Sequence, residues 1–290
     1  MDNNKDQAKQ LAFWKHLAIT ILACVVTAAL SVGITLAVVG KNGTTASGNQ
    51  KQPVAFGVEE NYKSKLDPAK LAESATIYVE KTDKGVNVVD KPSKAKVVDF
   101  YYDYNCHYCY NFEATNESDL DTMVNSGEMT MAYHPLSIFG DPQTSDYGLQ
   151  HGTHGVIAAA IVAKDEPQKF IKFNKTMWKA YPESTDSVWT EEAYRGVFKE
   201  AGLSQKTIDK AIDAMKDQRF VDAVSQITIK SAKGLKENNG IDFRGTPTIL
   251  LDGKDLPADL NFQEAGQFRK YVETGQYDPV QPQAGEQAQQ

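Results

Sequence analysis

The chain has 290 residues, 41% of them apolar and 24% charged, with 20 glycines and 11 prolines. These values exclude collagen-like and wholly disordered chains and fit one or two globular domains. A net charge of −7 argues against a broadly basic surface, and so against nucleic acid as a partner, and three cysteines are too few for a disulfide scaffold.

Residues 1–16 carry Lys5, Lys9 and Lys15 against Asp2 and Asp6, a weak positive bias that places the N-terminus on the cytoplasmic side. Leu17–Val39 has 23 residues and no charge, which predicts one transmembrane helix. The run is longer than the 7–15 apolar residues of a signal peptide. Cys24 follows a faint lipobox-like Ile21-Leu22-Ala23, but the uncharged run continues to Val39, so Cys24 reads as an inert thiol in the membrane. Residues 40–72 read as a tether that opens small, polar and aperiodic, and residues 276–290, rich in Gln, as a disordered tail. Between them, residues 73–275 form one acidic domain.

Within that domain Ala75–Glu80 and Val86–Asp90 are short β-branched strands around a turn, and Ala95–Tyr104 is an apolar, aromatic strand buried on both faces. A helix runs from Cys106 to about Val124 and stops before Ser126-Gly127; Met129–Tyr133 is a strand stopped by Pro135. Helical periodicity then dominates: Gly155–Lys164, Lys169–Ala180, and helices opened by Thr190, Ser204 and Asp217, the last ending at Asn239-Gly240. This is an all-helical insertion at about 142–240. Pro247 leads into a strand, Thr248–Leu251, and a helix over about Phe262–Thr274 closes the domain.

Cys106 and Cys109 stand three residues apart at the strand-to-helix turn. On spacing alone the pair is a redox dithiol, a structural staple or half a zinc site. A structural zinc needs four ligands and there is no second CxxC; His151 and His154, the one close histidine pair, read as surface residues entering the next helix. A staple closing so short a loop removes little chain entropy. A redox pair uses the position: Cys106 at a helix N-terminus meets free N–H groups and the dipole that favour thiolate, and Cys109, one turn inside, is a shielded resolving thiol.

Two motifs, VVDFYYDYNCHYCYNFE and RGTPTILLDG, lie roughly 140 residues apart on either side of the helical block. Together they resemble the thioredoxin superfamily, and more closely the DsbA-like exported thiol–disulfide oxidoreductases, above all the membrane-anchored ones of Gram-positive bacteria. The resemblance implies an α/β, thioredoxin-like fold with the helical insertion, preceded by the transmembrane helix, and a catalytic domain outside the cell membrane. It implies no cofactor and no metal. The implied activity is an oxidase that forms disulfides in secreted or envelope proteins with reduced cysteines and is recycled by a membrane partner resembling DsbB or VKOR. It makes His107 and Tyr108, between the cysteines, the tuners of redox poise, with protonated His107 favouring the Cys106 thiolate. It also makes Thr246-Pro247 a cis peptide facing the dithiol, Thr246 binding an extended client through its backbone. An acid beneath the site relays protons to the buried cysteine in such proteins; Asp99 is the candidate here, with Asp103 facing solvent or capping the helix. A reductase or isomerase using the same site, or a non-catalytic thioredoxin-like binding module of the envelope, are the alternatives.

Overall fold

The computed structural model of the chain describes residues 56–139, 150–181 and 189–280. Leu17–Val39 and Cys24 lie outside them; among the described residues no helix is long and apolar enough to cross a membrane.

The strand Lys96–Asp103 (β3) organises the domain. Its alternate residues Val98, Phe100 and Tyr102 are buried on one face, while Tyr101 packs on the other with Leu136, Leu235 and Leu250. A strand covered on both faces belongs in the middle of a sheet. With β1 (Ile77–Thr82), β2 (Gly85–Val89), β4 (Met129–Leu136), β5 (Thr248–Leu251) and β6 (Lys254–Asp255), it forms a six-stranded mixed sheet of order β2-β1-β4-β3-β5-β6. Only β3 and β4 pair in parallel, and the helix α1 (His107–Ser126) makes their crossover. Phe112 of α1 fixes that helix over the sheet, its ring 4.9 Å from Phe100 and 5.2 Å from Phe268 of α7 (Gln267–Thr274). Among the described residues, five α-helices come between β4 and β5: α2 (Gln150–Asp165), α3 (Phe170–Lys179), α4 (Glu191–Glu200), α5 (Gln205–Met215) and α6 (Gln218–Asn239). Side-chain oxygens of Thr190, Ser204 and Asp217 cap the last three of these.

Several elements differ from the sequence expectation. β4 runs through Pro135 to Leu136, because its pairing with β1 ends at Tyr133 and a missing N–H beyond that point breaks no ladder bond on that side. Helix α7 begins at Gln267, not near Phe262; Gly266 takes φ +80°, and the Phe262 carbonyl accepts from Asn116 Nδ2 at 2.8 Å. Residues 56–72, expected within the tether, dock on the helical block. Phe56 is buried against Tyr194 and His154, and Ser64 N–H donates to the buried Asp217 carboxylate at 2.7 Å. Residues 276–280, expected in the tail, also pack back: Asp278 N–H donates to Gln267 at 3.0 Å, and Val280 N–H to the Asp259 carbonyl at 3.0 Å.

Helix α2 approaches the end of β3 so closely that a Cβ on Gly155 would lie 2.1 Å from Tyr104 Cδ2, an atom of a fully buried ring. Gly155→Ala is expected to lower unfolding free energy by about 1–3 kcal/mol, the usual cost of overpacking. Gly196→Ala on exposed α4, where a Cβ meets nothing within 4 Å, should raise it by about 0.5–1 kcal/mol. Urea denaturation of the two variants beside the parent chain checks both signs.

Candidate active site

The turn from β3 to α1 is built by Asp103. Its carbonyl accepts from Cys106 N–H at 2.8 Å, and its carboxylate accepts from the N–H groups of Asn105 (2.8 Å), Ile138 (2.7 Å) and Phe139 (3.2 Å). One side chain thus ties the strand end, the CxxC turn and the segment after β4. The carboxylate is fully buried, which lifts its pKa to about 6 against the pull of those three amides.

Cys106 is the N-cap of α1, and its sulfur accepts from the Cys109 N–H at 3.2 Å. The Cys106 thiol also donates to the Thr246 carbonyl at 3.2 Å, 140 positions away in sequence. The facing Cys109 thiol and backbone N–H bring the Cys106 pKa down to about 7, against burial and the charge of Asp103. Cys109 has no exposed surface, and burial pushes its thiol well up. The Thr246–Pro247 peptide is cis, and both residues line a groove with Leu256, Leu260 and Phe262.

The residues between the cysteines face outward. Tyr108 is 65% exposed, with its carbonyl accepting from Gln263. His107 Nε2 accepts from Asn111 Nδ2 at 3.1 Å, and its ring lies near Tyr108 and Tyr181. These neighbours, and not the Cys106 sulfur, are the partners found for His107 among the described residues.

Asp99 pairs with His134, Oδ1 to Nε2 at 2.9 Å, and is half-buried midway along β3; the acid whose charge acts on Cys106 is Asp103. Asp103 neither faces solvent nor caps the helix with its side chain; three backbone amides are reason enough to bury it. Sequence reasoning also missed Glu113, fully buried and raised by burial to about 7. It accepts from Asn174 Nδ2 at 3.0 Å, and the Asn174 oxygen accepts from Tyr104 at 2.8 Å and Tyr102 at 3.2 Å. The signal was available: Glu113 follows Cys109 by four residues, one helical turn along the same face. His151 and His154, expected at the surface, are both buried, each with Nδ1 against the Tyr194 hydroxyl at 3.3 and 3.1 Å. Among the described residues no group of three or more His, Cys, Asp or Glu is placed to hold a metal.

This arrangement holds one thiol poised for ionisation beside a second kept protonated, which is the requirement for dithiol exchange. In the reduced protein, the rate of Cys106 alkylation should follow a titration with midpoint near pH 7, with Cys109 protected in the native state. Mass-mapped iodoacetamide labelling against pH reads both. A midpoint at an ordinary thiol value would remove the basis for activation. The raised pKa of Glu113 means the native state binds a proton that the unfolded chain releases from about pH 4.5 upward. Ionisation of Glu113 therefore costs stability progressively between about pH 4.5 and 7. Glu113→Gln should gain on the parent across that window and be the more stable of the two at pH 8, as measured by denaturation midpoints.

The model of the DSBA-like thioredoxin domain matches residues 97–266. No curated protein matches the chain by sequence. Similar solved structures include the thiol–disulfide oxidoreductase MdbA from Actinomyces oris (17% identity, 64% of this chain and 84% of that one, TM-score 0.48). Others are reduced DsbA from Mycobacterium tuberculosis (20%, 63% and 85%, TM-score 0.45) and oxidised BdbD from Bacillus subtilis (14%, 77% and 97%, TM-score 0.49). The family match covers more than half of the chain, including both cysteines and Thr246–Pro247. The chain is an enzyme of thiol–disulfide exchange and belongs to the family of DSBA-like thioredoxin domains.

Proposed function

We propose that this oxidoreductase is an oxidase that forms disulfides in exported proteins, with Cys106 as the exchanging sulfur and Cys109 as the resolving one. The observation that carries the reading is the position of the Cys106 sulfur, held between the Cys109 N–H and the Thr246 carbonyl, each at 3.2 Å. A thiolate with a pKa near 7 is a good leaving group, and a dithiol stabilised in that form makes its disulfide oxidising.

In the cycle, a client thiolate attacks Cys106 of the Cys106–Cys109 disulfide, the S–S bond breaks and Cys109 leaves and takes up a proton. A second client thiolate then attacks the client sulfur of the mixed disulfide, and Cys106 leaves as thiolate. The client has lost two electrons, and the enzyme dithiol holds them. A reoxidising partner, of the kind resembling DsbB or VKOR in the membrane, returns the pair to the disulfide. Cys106 is only 2% exposed, so the client reaches it by pressing an extended segment into the groove beside Thr246 and Pro247. Tyr108 and His107 stand at the entrance and touch the client, while Asp103 positions the turn. The uncharged run Leu17–Val39 supports a single membrane anchor with the domain outside the cell.

Cys106→Ser should abolish oxidation of a reduced dithiol peptide, and Cys109→Ser, first loaded at Cys106 as a mixed disulfide with a small thiol, should exchange that thiol for a single-cysteine peptide and accumulate the peptide adduct at Cys106, visible on a non-reducing gel. Oxidation surviving either change would overturn the dithiol mechanism. Protease added to intact cells should remove the domain; a mature chain beginning after residue 39 would show that the apolar run is cleaved and is no anchor.

A further inference from the structure

The chain has four arginines, and three are engaged. Arg195 pairs with Glu191 and Asp209 at 2.8 and 2.7 Å, Arg219 with Asp217, and Arg269 with Glu273 and Asp119. Arg244 is exposed and has no ion pair or hydrogen bond among the described residues. It stands two residues before Thr246, whose carbonyl touches the Cys106 sulfur, and lines the same groove. Its acidic neighbour Asp242 is compensated by Lys236 at 2.9 Å. Among the described residues, the other charge lining that groove is Asp255 of β6.

The open sheet edge fixes what the guanidinium meets. β6 pairs with β5 only at Leu250 and Leu251, so among the described residues the edge beside Thr246, Pro247 and Thr248 carries no strand on the β6 side. The apolar walls Leu256, Leu260 and Phe262 flank that open edge. A client laid there as an added strand, with its cysteine opposite Thr246 and Cys106, brings its residue two places along near Arg244. Arg244 lies outside β5, one residue before a bend in which Gly245 takes φ +127°, and two residues of chain span at most about 7 Å, so its side chain reaches a client residue near the one opposite Thr246. A guanidinium with all its donors free matches a carboxylate.

We propose that Arg244 is a specificity-determining residue that selects client segments with an acidic side chain two residues from the reacting cysteine. The assignment rests on the oxidoreductase reading of this site. Asp255 acts against it from across the groove, so the preference is set by contact at Arg244 and not by the overall acidity of the chain.

The test uses the full chain, oxidised, and three dithiol peptides of matched sequence. The residues two places either side of the first cysteine are both Glu, both Gln or both Lys. Each kcat/KM is divided by that peptide's rate with a small neutral disulfide, which removes the effect of the flanking charge on the peptide thiol itself. The expected Glu-to-Lys ratio is about fivefold, the upper range of one exposed ion pair. It should fall toward one in 1 M salt, rise in Asp255→Asn, and invert in Arg244→Glu. A ratio unchanged between the parent and Arg244→Glu would overturn the assignment while leaving the oxidoreductase reading intact. Failure of the parent to oxidise any of the three peptides would overturn that reading, and this assignment with it.

Discussion

A carboxylate buried without a cation is costly, and Asp103 is held in place by three backbone amides drawn from two separate stretches of chain. The geometry of the dithiol depends on that bargain. The strand end cannot shift without unburying the acid, and the segment after β4 cannot lift without orphaning two N–H groups. Helix α2 is equally constrained, since a Cβ on Gly152 would lie 2.2 Å from the same carboxylate. The cysteines therefore sit on a turn whose shape is decided by groups that take no part in exchange, a division of labour between positioning and reaction.

The same helical turn gives the two sulfurs opposite characters. Cys106, as N-cap, looks out along the helix axis toward unpaired N–H groups and meets the chain returning at Thr246. Cys109 has rotated into the core, where burial outweighs the hydrogen bonds that would favour a negative charge. Three residues of sequence and one turn of helix separate a leaving group from a proton reservoir. Burial drives the second behaviour, and the hydrogen bonds from the Cys109 thiol and N–H the first.

The parts legible in the sequence are those governed by local chemistry. The strand before the CxxC, the caps at Thr190, Ser204 and Asp217, and the C-terminal stops Gly127 and Gly240 are all readable from residue type and spacing. What was not readable depends on tertiary partners. Asp99 and Asp103 lie on the same face of one strand, and pattern cannot say which of them ends among backbone amides and which beside His134. The histidines of α2 look like polar surface residues until Tyr194, forty residues on, supplies their hydrogen bonds. Phe56 looks like part of a polar linker until the cleft that receives its ring has been built by α2 and α4.

The shared phenol of Tyr194 has a further consequence. His151 and His154 are both driven down to about 3 by burial, so the folded helical block admits only neutral imidazoles. An unfolded chain takes up two protons there as the medium acidifies below the ordinary histidine range, and the folded one does not. Stability contributed by this pair is whole above about pH 6.5 and drains away toward pH 3. The helical block thus has an acid threshold of its own, set by buried imidazoles and not by the titration of Cys106.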